Sequence, residues 1–147
     1  MVFEEKKLGG HVTTMQKGCD SEPKVGAMTA TLQSRYGMTV PFGGPLHAQR
    51  ERFQALEAAG YTDLWSAEAM GEDGLTPLAL ASVWTPSMRL GTAILPVYTR
   101  GPALMAQSIA AMASAAPGRF VAGLGTSSNV IVERWNGIPF EQPYKRM

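Results

Sequence analysis

Two apolar runs, Arg89–Val97 and Arg119–Gly125, lie on either side of a helical stretch from Pro102 to Ala115. A tight hairpin cannot reverse the chain over that distance, so the two strands pair in parallel as a βαβ unit. Gly125 ends the second strand, and Thr126-Ser127-Ser128 follow it directly. Small residues and hydroxyls therefore fall at the carboxyl end of a strand, where α/β proteins hold their ligands.

The rest of the chain repeats this unit in structure without repeating it in sequence. Strands are expected to begin near Tyr36, Asp63, Arg89 and Arg119, at separations of 27, 26 and 30 residues. The first runs from Tyr36 to Phe42 and is broken by Gly43-Gly44-Pro45. Helix one spans Leu46 to Ala59, with Leu46, Phe53 and Leu56 on its apolar face and Gln49, Arg50, Glu51, Gln54 and Glu57 on the remainder. Gly60 sits where a left-handed cap would stop it. Strand two, Asp63–Glu68, ends in a carboxylate. Thr76 is placed to cap helix two, Pro77 suits its first position, and Pro86 ends it. In helix three, Met105, Ile109, Met112 and Ala116 recur at helical spacing before Pro117-Gly118.

Strand-helix units of about 30 residues, closed eightfold, make a TIM (β/α)8 barrel. Three and a half such units are present, and residues 129–147 read as an unfinished next element. The expectation is therefore the N-terminal half of a barrel over residues 35–147, truncated, behind a flexible N-terminal extension over 1–34. That extension lacks a hydrophobic period, and Met15 and Met28 are possible alternative starts. A doubly wound open sheet is the alternative, because βαβ repeats alone do not separate the two. Its nucleotide signature would fall at the first strand-helix turn, where Pro45 removes an amide donor from Gly43-Gly44-Pro45.

A formal net charge of +1 with 17% charged residues gives no nucleic-acid footprint, and no run approaches the ~18 apolar residues of a membrane span. No targeting segment is recognised, and the single Cys19 fits a reducing cytoplasm. His11 and His47 have no partner at metal-ligand spacing, so no metal is expected. Trp65, Trp84 and Trp135 read as core or interface residues.

Three stretches in order, Gly91-Thr92-Ala93-Ile94-Leu95-Pro96, Arg100-Gly101-Pro102-Ala103-Leu104-Met105-Ala106-Gln107 and Gly118-Arg119-Phe120-Val121-Ala122-Gly123-Leu124-Gly125-Thr126, resemble the luciferase-like monooxygenase superfamily, nearest its branch using the deazaflavin coenzyme F420. The resemblance implies an oxidoreductase exchanging a hydride between F420 and a small organic substrate. It places the coenzyme ring over strand three at Ala93 and Ile94, joined by a non-prolyl cis peptide. It makes Gly125, Thr126, Ser127, Ser128 and Asn129 the coenzyme-contacting loop, although a strand-to-helix turn capped by Ser or Asn would use the same residues. Glu68 matches an acidic residue that relatives use for coenzyme contact or proton transfer, and is the candidate catalytic group; a solvated or salt-bridged glutamate is the plainer reading. Ala69 stands where such relatives carry histidine, and Ser128 where some carry glutamate. A homodimer through helices two and three is implied, with Ala79, Ala81, Ala103 and Ala106 permitting close approach. The alternatives are an FMN-dependent monooxygenase of the same superfamily, in which oxygen is activated, and a non-catalytic half-barrel that self-associates.

Overall fold

A computed structural model describes residues 34–147, so most of the N-terminal extension, over residues 1–33, lies outside the described residues. Six short strands and three longer helices follow one another: β1 Gly37–Thr39, α1 Arg50–Ala58, β2 Asp63–Ser66, α2 Thr76–Trp84, β3 Arg89–Thr92, β4 Leu95–Pro96, α3 Pro102–Ala115, β5 Phe120–Val121 and β6 Leu124–Gly125. A π-helical turn, Val130–Trp135, and the short helix α4, Pro143–Arg146, complete the chain. The long strands expected at Arg89–Val97 and Arg119–Gly125 are each interrupted, giving β3 with β4 and β5 with β6.

Every strand pairing is parallel, and the main sheet runs β1-β2-β3-β5, in chain order. A doubly wound sheet needs a point at which strand order reverses. Among the described residues there is none, and the three longer helices share one layer: Phe53 of α1, Leu78 and Ala81 of α2, and Met112 of α3 pack in one core with Leu64 and Leu90 of the sheet. Helices on one face of a sequentially ordered parallel sheet are the wall of a (β/α)8 barrel, and four of its eight staves are described.

The opposite sheet face is the barrel interior. Trp65 lies across it, and the register sets Trp65 beside Gly91. A methyl group at Gly91 would collide with the indole, so the tryptophan lies flat there only because its neighbour has no side chain. At the amino-terminal end of the strands, Asp63 is 1% exposed and accepts from both nitrogens of the Arg35 fork at 3.0 Å, from Thr62 Oγ1 at 2.6 Å and from Arg89. Arg89 also sits 5.7 Å over the Trp65 ring. Burial alone would raise the Asp63 pKa, but the hydrogen bonds from Arg35, Thr62 and Arg89 outweigh it and hold the carboxyl below its ordinary value.

Several local expectations are corrected. Helix one begins as a 3-10 turn at Leu46–Ala48, and Gln49, assigned to the polar face, is 2% exposed. Its amide accepts from the Phe42 N–H at 2.9 Å and donates to the Phe42 and Gly44 carbonyls at 2.7 and 3.0 Å, closing the glycine-rich turn onto the helix. Thr76 does not cap helix two by itself. Asp73 receives the Leu75 and Thr76 amides at 2.8 and 3.1 Å as well as the Thr76 hydroxyl. Gly60 does occupy the left-handed region, at φ 90°.

Candidate functional site

The carboxyl ends of β2, β3 and β5 are knitted together by an irregular ladder. On the β2 side, the Ala93 N–H donates to the Ser66 carbonyl at 2.6 Å, and the Glu68 N–H donates to the Ile94 carbonyl at 3.1 Å. Along the other side, Gly91 pairs with Val121 and Leu95 with Leu124, so four residue steps oppose three. Strand three therefore carries one extra residue, a β-bulge, which re-aims side chains at this end of the sheet. The Ala93–Ile94 peptide inside it is cis. Ala93 is exposed, and Ile94 rests against Gly125, where a β-carbon would approach its Cγ1 to 2.9 Å. Glu68, Ile94 and Gly125, at three strand ends, thus lie side by side, with Ala93 exposed next to Ile94 in the chain.

Glu68 is ion-paired. Its Oε2 accepts from Arg100 Nε and Nη2 at 3.2 and 3.0 Å, while among the described residues Oε1 accepts only from the Thr99 hydroxyl, at 3.5 Å. Arg100 also approaches Asp73 Oδ1 at 3.7 Å. One guanidinium from the β4–α3 connection therefore joins the end of β2 to the loop that caps α2. Burial would raise the Asp73 pKa; hydrogen bonds from the Thr76 hydroxyl and the Leu75 and Thr76 amides, with the charge of Arg100, bring it below the ordinary value. The pairing of Glu68 with Arg100 was not foreseeable from spacing, because 32 residues separate them and only the barrel register brings their strand ends together.

After Gly125, the chain turns sharply. Ser127 has φ 62°, an uncommon conformation for a residue with a side chain. Ser128 precedes the π-helical turn and bonds into it: its hydroxyl accepts from the Ile131 N–H at 3.4 Å and its carbonyl from the Val132 N–H at 2.9 Å. The amides of Thr126, Ser127 and Ser128 meet no acceptor among the described residues. Asn129 is exposed, and its side chain caps nothing. Gly125 and Thr126 also line a cavity of about 410 Å³ with Phe140, Pro143, Tyr144 and Met147. A separate apolar cleft of about 290 Å³ lies between α3 and β6, bounded by Met105, Ile109 and Leu124 with Arg100 and Arg146. Among the described residues, no helix is long and apolar enough to cross a membrane, and no cluster of three or more His, Cys, Asp or Glu could hold a metal ion.

Residues 22–147 match the family model described as luciferase-like monooxygenase. A Mycobacterium tuberculosis protein, provisionally named a coenzyme F420-dependent oxidoreductase, is 33% identical over 114 residues, covering 76% of this chain and 33% of that protein. The coenzyme F420-dependent tetrahydromethanopterin reductase of Methanopyrus kandleri superposes with a TM-score of 0.62 at 24% identity, over 72% of this chain and 30% of that one. The oxygenating component of 3,6-diketocamphane monooxygenase from Pseudomonas putida, in complex with FMN, gives 0.64 at 14% identity, over 76% and 35%. The chain thus spans about a third of the length of these proteins.

Proposed function

The chain belongs to the luciferase-like monooxygenase family, and from that membership we infer that it contributes the coenzyme-binding strand ends of an F420-dependent oxidoreductase acting on a small organic molecule. The observation that supports this reading is the shared surface of Ala93, Ile94 and Gly125 at the bulge, flanked by the unengaged amides of Thr126, Ser127 and Ser128. A flat ring system with an anionic tail fits it. Ala93 presents only a methyl group, Gly125 presents no side chain, and successive amides at a strand end suit anionic oxygens.

When bound, F420 supplies hydride chemistry. The chain's own residues would do three things: Ala93 and Ile94 support the ring face, Gly125 to Asn129 contact polar groups of the coenzyme, and Glu68 contacts ligand or carries a proton at Oε1. Arg100 occupies Oε2 and so leaves Oε1 as the oxygen available to accept. The fold likeness to an FMN-bound monooxygenase supports a second reading, FMN-dependent oxygenation at the same surface. The relative at 33% identity favours F420.

Titration with F420 and FMN in competition separates these readings. Saturable F420 binding that FMN displaces weakly is expected. FMN binding alone, with consumption of oxygen when the coenzyme is reduced, would favour the second reading; binding of neither would overturn both. For self-association, α2 and α3 offer exposed Ala79, Val83, Ala103, Leu104 and Ala106, and a dimer through them is part of the proposal. Ala81, expected in that interface, is fully buried in the core and takes no part.

A further inference from the structure

At the bulge, the pairing of β3 and β4 with β5 and β6 is interrupted, yet the polar groups at the break are not left open. Thr92, 1% exposed, places its hydroxyl against Gly123: Oγ1 accepts from the Gly123 N–H at 2.9 Å and donates to the Gly123 carbonyl at 2.9 Å. The same carbonyl accepts from Leu95 N–H at 2.9 Å, the first bond of the β4–β6 ladder, and Val97 N–H follows onto Gly125 at 2.9 Å. A side-chain hydroxyl thus stands in for a backbone peptide across the step where strand three has its extra residue. Gly123 is the matching half of the device, because a β-carbon there would collide with the Thr92 carbonyl.

From this geometry we propose that Thr92 is a register splice, a positioning residue that fixes β6 against β4 and so seats Gly125 under Ile94. The coenzyme-related part of the claim rests on the function proposed above. Without the hydroxyl, the Gly123 amide loses its partner, and the two-residue pairing of Leu95–Pro96 with Leu124–Gly125 keeps only its own short ladder to hold its offset. Neither Ala93 nor Gly125 need change for the surface between them to be lost. Thr92 touches no proposed ligand position and acts only through Gly123.

The test compares the full chain with its Thr92→Val and Thr92→Ser variants in two measurements, amide hydrogen exchange by NMR and equilibrium titration with F420 and FMN. In the unaltered chain, the Gly123 amide must be protected; free exchange there overturns the splice without any variant. Valine keeps the shape and removes the hydroxyl, so protection at Gly123, Leu95 and Val97 is expected to fall about tenfold or more, as is affinity for whichever coenzyme binds. Serine keeps the hydroxyl and is expected to stay within about twofold of the unaltered chain for both. Unchanged protection in the valine variant, or equal loss in the serine variant, overturns the splice. Should the valine variant not fold, the serine variant and the unaltered chain still decide. Lost protection with unchanged affinity overturns the positioning role. Binding of neither coenzyme by the unaltered chain overturns the function proposed above, while exchange still decides the splice.

Discussion

At the scale of single residues, charge and burial at the two ends of the sheet have opposite meanings. Asp63, at the amino-terminal end, is enclosed by Arg35, Thr62 and Arg89, and its role is stability. Its folded-state pKa lies below the ordinary 3.8. Its contribution is therefore present in full above about pH 4 and is lost as pH falls through the lowered folded value. Asp63→Asn is expected to cost about 1–3 kcal/mol at pH 6, less than a wholly buried pair because both arginines reach solvent. The gap from the unaltered chain should narrow as pH drops below about 4, as followed by circular dichroism in urea; a constant gap would contradict the assignment. Gln49→Ala should cost about 1–2 kcal/mol by the same measurement, since it leaves the Phe42 amide and two carbonyls without their partner. Neither residue was legible as important in the sequence. A glutamine on a helix and an aspartate opening a strand look like ordinary polar positions until the turn at Gly43-Gly44 and the register with Arg89 bring their partners in.

At the scale of elements, periodicity carried the helices and failed at the breaks. Helix α3 runs over the expected Pro102–Ala115, with Met105, Met112 and Ala116 buried as their spacing requires. Apolar alternation could not reveal that the strands at Arg89 and Arg119 are each split, because a bulge changes register without changing composition. Only the family resemblance pointed to Ala93 and Ile94. The cap of α2 is a similar case: Thr76-Pro77 reads as a helix start, yet the capping carboxylate is Asp73, three residues upstream. Asp73→Ala is therefore expected to lower stability by about 1 kcal/mol. Thr76→Ala, which removes one donor to Asp73 and leaves both amides bonded, should cost clearly less. Thermal unfolding of the two variants ranks them, and the reverse order would return the cap to Thr76.

At the scale of the whole molecule, chain-order strand neighbours and a single helix layer decide for a barrel wall over a doubly wound sheet, a choice the repeat alone left open. The candidate site was legible in outline, since Gly125 closes a strand and small residues follow it. What the sequence could not supply was the convergence of Glu68, Ile94 and Gly125 from separate strands, or the arginine that holds Glu68. The account's central claim is that this convergence is a coenzyme surface. It is tested most directly by fluorescence titration of F420 against the chain and its Gly125→Val variant, whose added side chain must displace Ile94. The expected result is saturable binding by the unaltered chain, weakened about tenfold or more by valine, with the unfolding temperature of the variant reported alongside. Equal affinity in a folded Gly125→Val chain would show that the coenzyme, if bound, rests elsewhere, and would contradict the claim.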